Sequence, residues 1–142
     1  MRTLLALAAL SIPAWAAPVP KELRKTNLEQ LQGKWCIVSL DSGGGQQVQT
    51  GDFAGFTLTI DGDKLSTATT SGAGYNRVAV VWDFEAKPMR IDVQSETSTT
   101  PGIFKIDDGR LWWCHAQQNA AAPKDFKGGN GNHCFIWKKS DK

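Results

Sequence analysis

Two doublets near the end of the chain, Cys114-His115 and His133-Cys134, gather the residue types with the greatest chemical reach. Two Cys and two His are a sufficient ligand set for zinc. Adjacent residues of a strand point to opposite faces, however, so one hairpin cannot easily aim all four at one ion, and zinc ligands usually stand two to four residues apart. The doublets fit a hairpin register better. If Cys114 faces Cys134, their numbers sum to 248, and His115 with His133, Trp113 with Phe135 and Leu111 with Trp137 obey the same sum. Aromatic then meets aromatic and Cys meets Cys at a distance that a disulfide can span. The reading is a Cys114–Cys134 disulfide and no metal, with Cys36–Cys134 as the rival pairing if the first strand closes against the last.

Other chemistry finds little support. His115 and His133 alone could serve as a base at neutral pH, and no Gly-x-Ser-x-Gly elbow, phosphate-binding glycine loop or His-Glu-x-x-His helix accompanies them. Asp61, Asp63, Asp107 and Asp108 sit in turns, where acidic residues are common for conformational reasons, so they read as turn formers rather than calcium ligands. Gly43 to Gly45 and Gly128-Gly129-Asn130-Gly131 precede no helix and read as flexible loops. The expectation is a protein that is not an enzyme and carries no cofactor.

The elements that position these residues follow from periodicity. Strand-length runs cover 34–40, 56–60, 64–70, 77–84, 89–94, 102–106, 110–117 and 133–138, punctuated by Asp61-Gly62, Lys87-Pro88 and Asp108-Gly109. Tight turns make neighbours antiparallel, and no long helical crossover interrupts them. The predicted fold is all-β, an eight-stranded antiparallel up-and-down barrel whose closure removes exposed edges, with a β-sandwich as the alternative. Alternation places Trp35, Ile37, Phe56, Leu58, Ile60, Leu65, Val80, Trp82, Ile91, Val93, Phe104, Ile106, Leu111, Trp113, Phe135 and Trp137 on the inner face. Trp112 alternates outward and is expected to lie under the N-terminal helix or the 120–122 loop. Before the strands, Thr26-Asn27-Leu28-Glu29 fits a capping box and Gly33 a helix stop, predicting one or two turns of helix.

The chain opens with Arg2, an apolar run over 4–12, and Pro13 followed by Ala14-Trp15-Ala16. That is the pattern of a secretory signal peptide cleaved after Ala16, and the run is too short to anchor in a membrane. The expected organisation is a signal over 1–16, a flexible segment over 17–25 and a barrel domain over 26–142. Residues 17–142 carry 15 Lys+Arg against 14 Asp+Glu with no basic cluster, which excludes electrostatic capture of nucleic acid. The cysteine usage suits export to a periplasmic or extracellular space, where three Cys give one disulfide and one spare thiol.

Leu31-Gln32-Gly33-Lys34-Trp35 resembles the Gly-x-Trp opening of lipocalin-type barrels, in which the Trp plugs the closed end beneath a basic residue of the last strand, here Lys138 or Lys139. With Leu58-Thr59-Ile60-Asp61-Gly62-Asp63-Lys64, Lys87-Pro88-Met89-Arg90-Ile91-Asp92-Val93 and the run from Gly102 to Leu111, the chain resembles an uncharacterised lipocalin-like domain family best populated in planctomycete bacteria. The tail fits too, through Cys114, Ala122-Pro123-Lys124-Asp125-Phe126 and the last strand, although Ala122 stands where an Arg is expected. The resemblance implies a lipocalin-like barrel and a secreted habit, and no established activity. Two functions are in play. One is a monomeric carrier holding a small hydrophobic molecule among Trp35, Phe56, Trp82, Phe104 and Trp113. The other is a module with a solid barrel that binds or inhibits a secreted protein partner through its loops.

Overall fold

A computed structural model describes residues 21–48, 55–72 and 74–141; the expected signal segment over 1–16 and residues 17–20 lie outside them. The order is α1 (Lys21–Leu31), β1 (Gly33–Asp41), β2 (Gln47–Val48), β3 (Thr57–Asp61), β4 (Lys64–Ala68), β5 (Val78–Asp83), β6 (Arg90–Gln94), β7 (Thr99–Asp107), β8 (Arg110–His115) and β9 (His133–Lys139). Strands β3 to β9 pair with their sequence neighbours, β1 pairs with both β3 and β9, and all pairings are antiparallel. The result is a closed eight-stranded up-and-down barrel. The two-residue β2 lies outside the ring as an annex on β1, too short to leave a periodic signal in the sequence.

The turns show why neighbours are antiparallel. Asp108 and Gly109 both have positive φ, 51° and 68°, as the two central residues of a type I′ turn require, and they join β7 to β8. All sixteen residues assigned to the inner face lie in the core cluster or pack against it, and Leu31 of α1 joins them.

Two expectations change. The helix begins at Lys21, so Thr26 lies inside α1 rather than at its cap, and residues 21–25 are helical rather than a loose segment. Lys-Glu-Leu-Arg-Lys are good helix formers following a proline, and they extend the helix N-terminally past the capping-box signal. The second change is a β-bulge on β1. Ile37 pairs with Trp137 but Ser39 pairs with Ile136, so the extra residue shifts the alternation. Leu40 then packs toward the core, opposite Phe135, while Asp41 lies opposite Cys134, whose side faces out.

The helix closes one end. The indole Nε1 of Trp35 donates to the Leu31 carbonyl at 2.8 Å. Lys139 Nζ lies 4.8 Å from the centre of the Trp35 ring and donates to the Gln30 carbonyl at 2.7 Å. Of the two lysines considered for this place, it is Lys139 that fills it. The loops after β1, β4, β6 and β8 gather at the opposite end, the mouth.

Candidate functional site

The β8–β9 hairpin has the register read from its sequence. Cys114 pairs with Cys134, His115 with His133, Trp113 with Phe135 and Leu111 with Trp137. Cys114 and Cys134 form a disulfide with their Cα atoms 4.0 Å apart. Cys36 lies opposite Lys138 on the neighbouring strand, four residues along β9 from Cys134. Four residues of strand span about 13 Å, well beyond the roughly 7 Å within which a disulfide closes, so the rival pairing is excluded. Cys36 remains a half-buried free thiol.

On the outer side, the disulfide is buried with Ile103 beneath Phe126 of the long 116–132 connection. Trp112 is half-buried there as well. Lys105 Nζ sits 4.6 Å from its ring centre and 5.0 Å from that of Phe126, so this cation lies over Trp112 and links it to the 116–132 connection. The glycine runs read as flexible form a clasp instead. Asp41 Oδ1 accepts the backbone N–H groups of Gly43 at 2.9 Å and Gly45 at 3.0 Å, and its Oδ2 accepts that of Gly128 at 3.0 Å. These bonds, Gly128's foremost, hold the Asp41 carboxyl below its ordinary value. Any side chain at Gly128 would collide with the backbone carbonyl of Asp41, which is why a glycine stands there.

The five aromatic residues named as a ligand chamber occupy three places. Trp35 belongs to the closed end. Phe56 packs on Phe135 and Trp137, with ring centres 6.0 and 5.2 Å away. Trp82, Phe104 and Trp113 share an interior cleft with Leu58, Ile91 and Leu111, and no space there admits a water-sized sphere. Phe104 fills it by edge contacts with Trp82 at 5.2 Å and Phe84 at 5.7 Å. Gly102 lies where the Trp113 indole crosses β7; a Cβ there would stand 2.8 Å from Nε1. In this packing the Nε1 groups of Trp113 and Trp137 are buried without a hydrogen-bond partner.

Open space lies at the mouth. A cup of about 440 Å³ is lined by His115 and His133 from the hairpin, Thr100 from β7, Tyr75 from the β4–β5 connection, and Gln117 and Gln118. Its floor is aromatic, since His115 stacks on Phe135 (5.6 Å, 16°) and lies 5.5 Å from Trp113. The two imidazoles stand side by side, with centres 5.6 Å apart. His115 Nδ1 lies 3.1 Å from the Ala116 carbonyl, which can only accept, so this nitrogen carries the proton. His133 Nδ1 lies 2.9 Å from Ser42 Oγ. Burial, the largest influence, pushes the His115 imidazole below its ordinary value, against the Ala116 bond that favours the charged form, so it is neutral at pH 7. A second cleft, about 460 Å³, opens within the 116–132 loop between Gln117, Lys124 and Asn132.

The sequence reading drew the two His from their register but did not assign them to a cup. Tyr75 and Thr100 come from connections and strands that periodicity does not bring together, and nothing local marks them. Among the described residues, no three His, Cys, Asp or Glu side chains converge as a ligand set, and no helix is long and apolar enough to cross a membrane. Comparison with known protein families, curated proteins and solved structures finds no match.

Proposed function

We propose that this protein is an exported, non-catalytic binding module whose recognition site is the mouth of the barrel. The observation that carries the reading is the contrast between the two spaces: the interior cleft does not admit water, whereas the mouth offers about 440 Å³ on an aromatic floor. A small flat molecule suits that cup. Its face would lie on the His115 ring, which Phe135 backs from beneath, and its donors would meet the unengaged imidazole nitrogens and the Thr100 hydroxyl. A fully apolar ligand inside the barrel would have to displace Phe104 or Trp82 from close packing, which costs several kcal/mol. The disulfide supports export to an oxidising space, as does the signal pattern. Kinship with the lipocalin-like family of planctomycete bacteria belongs to the same reading, supported by the closed end that Leu31, Trp35 and Lys139 build.

A second reading has its own observation. The Asp41 clasp joins the 41–46 and 116–132 loops, and a rigid loop pair on a solid barrel also suits a protein partner.

Native mass spectrometry of the protein, taken gently from its source, tests the first reading. A small bound mass that disappears in a Thr100→Val, Tyr75→Ala variant supports it. A clean apo mass, joined by failure of small aromatics to perturb the mouth, overturns it, and a bound protein of defined mass selects the second reading.

A further inference from the structure

The two histidines of the mouth have an arrangement that goes beyond lining a cup. They come from facing positions of β8 and β9, their centres are 5.6 Å apart with planes inclined by 42°, and both border the same open space. Each ring has its Nδ1 engaged, His115 donating to the Ala116 carbonyl and His133 beside Ser42 Oγ, and with the Ser42 hydroxyl accepting from His133 Nδ1 the nitrogen open to a ligand on each ring is Nε2. Holding one ring nitrogen by a backbone carbonyl or hydroxyl while the other stays available is how metal-ligating histidines are oriented in proteins. Two imidazole nitrogens bound at about 2.0–2.1 Å to one ion at a near-tetrahedral angle place their ring centres about 5 Å apart, close to the separation found here. The disulfide behind this pair ties the two strands together one residue away and keeps that spacing from spreading.

We propose that His115 and His133 form a two-histidine site for a late divalent transition-metal ion, Cu²⁺ most tightly, with water and the other groups of the cup completing its coordination. The proposal rests on the reading of the mouth as the recognition site and names one ligand class for it. Imidazole selects copper, nickel and zinc over the hard ions that prefer oxygen, and the usual order of affinity among them ends at copper. With two protein ligands rather than the three or four of catalytic and structural zinc centres, the ion is exchangeable, and open positions remain for a second small ligand. The neighbouring Cys114 and Cys134 take no part, since their sulfurs are joined to each other on the opposite face.

The test uses the full protein without a polyhistidine tag, titrated with copper sulfate or zinc sulfate alone. Zinc is followed by calorimetry and by the ring-proton resonances of the two histidines, and copper by the nitrogen hyperfine structure in its electron paramagnetic resonance spectrum. The expected result is one ion per chain, two coordinated imidazole nitrogens, and zinc-induced shifts confined to His115, His133 and their neighbours. His115→Gln and His133→Gln should each weaken binding by more than about tenfold, a loss comparable to that seen when only the partners of metal ligands are changed. Binding unaffected by either substitution, or no shift at either ring in the unmodified protein at millimolar zinc, overturns the proposal. Titration with phenol, which does not chelate, separates the two levels of the argument. Phenol shifts at the mouth without metal binding would sink the metal site alone, and loss of both would sink the mouth as well.

Discussion

The disulfide between Cys114 and Cys134 closes a loop with a sequence separation of 20. Cross-linking a chain over about 20 residues removes roughly 11 cal/mol/K of unfolded-state entropy, or about 3 kcal/mol at 25 °C. Replacing both residues by Ala should cost more than reduction alone. The two sulfur positions have no solvent exposure beneath Ile103 and Phe126, and emptying them removes about 1 kcal/mol of burial per side chain. The expected sequence of stability is therefore oxidised protein, then protein refolded under reductant at about 3 kcal/mol less, then Cys114→Ala, Cys134→Ala at about 5 kcal/mol less. A domain of about 120 residues loses roughly 0.25 kcal/mol per degree near its midpoint, so reduction should lower Tm by about 12 °C. Calorimetry of the three species measures this directly. A fall of less than about 4 °C on reduction would refute the loop-closure reasoning, and peptide mapping that found Cys36 in the bridge would refute the register itself.

Phe104→Ala should remove about 3–5 kcal/mol and open a cavity between Trp82, Phe84 and Trp113. Benzene should then raise the Tm of the variant and leave that of the parent protein unchanged; a parent protein stabilised by benzene would contradict the filled interior. Gly102→Ala pushes a methyl against the Trp113 indole and the Cys114 carbonyl, each 2.8 Å from the new Cβ, and should cost about 1–3 kcal/mol by denaturant titration. The Asp41 carboxyl is held below its unfolded value, so the stability it contributes is present above pH 4 and is lost as pH falls through the lower folded value. The protection factors of the Gly43 and Gly128 amides, that is, their exchange rates relative to the unprotected amide at the same pH, should therefore fall below pH 4, and at neutral pH in Asp41→Asn. Equal exchange in parent and variant would show that the clasp is not held by that charge.

How much of this was legible in the sequence depends on the length scale of the signal. The alternation that marks Leu58 with Ile60, or Ile91 with Val93, is local and repeats, so the core could be read directly. The hairpin register was legible for a different reason: four pairs of like residues obey one sum, and a slip by one would turn every one of them to the wrong face. The bulge between Ile37 and Ser39 leaves no such mark, and it decides that Asp41 meets Gly128 rather than the core. Gly128 looks like part of a loose linker because its reason for being glycine lies 87 residues away, in the backbone of Asp41, and Gly129 likewise meets the backbone of Gly43. The mouth fails to show for the same reason. Tyr75, Thr100, His115 and His133 belong to four separate segments, and only closure of the barrel brings them to one cup. Aromatic residues on the inner face were consistent with either a chamber or a packed core, since periodicity reports which way a side chain points and not how much space it leaves.

The central claim is that the barrel recognises its ligand at the mouth and not inside. Two-dimensional NMR of the isotope-labelled protein titrated with phenol tests it most directly, because amide and methyl shifts map the contact residue by residue. Shifts grouped at Thr100, His115, Gln117 and His133, with the methyls of Leu58, Ile91 and Leu111 unmoved, are the predicted result. Shifts led by those three methyls, with the mouth silent, would contradict it.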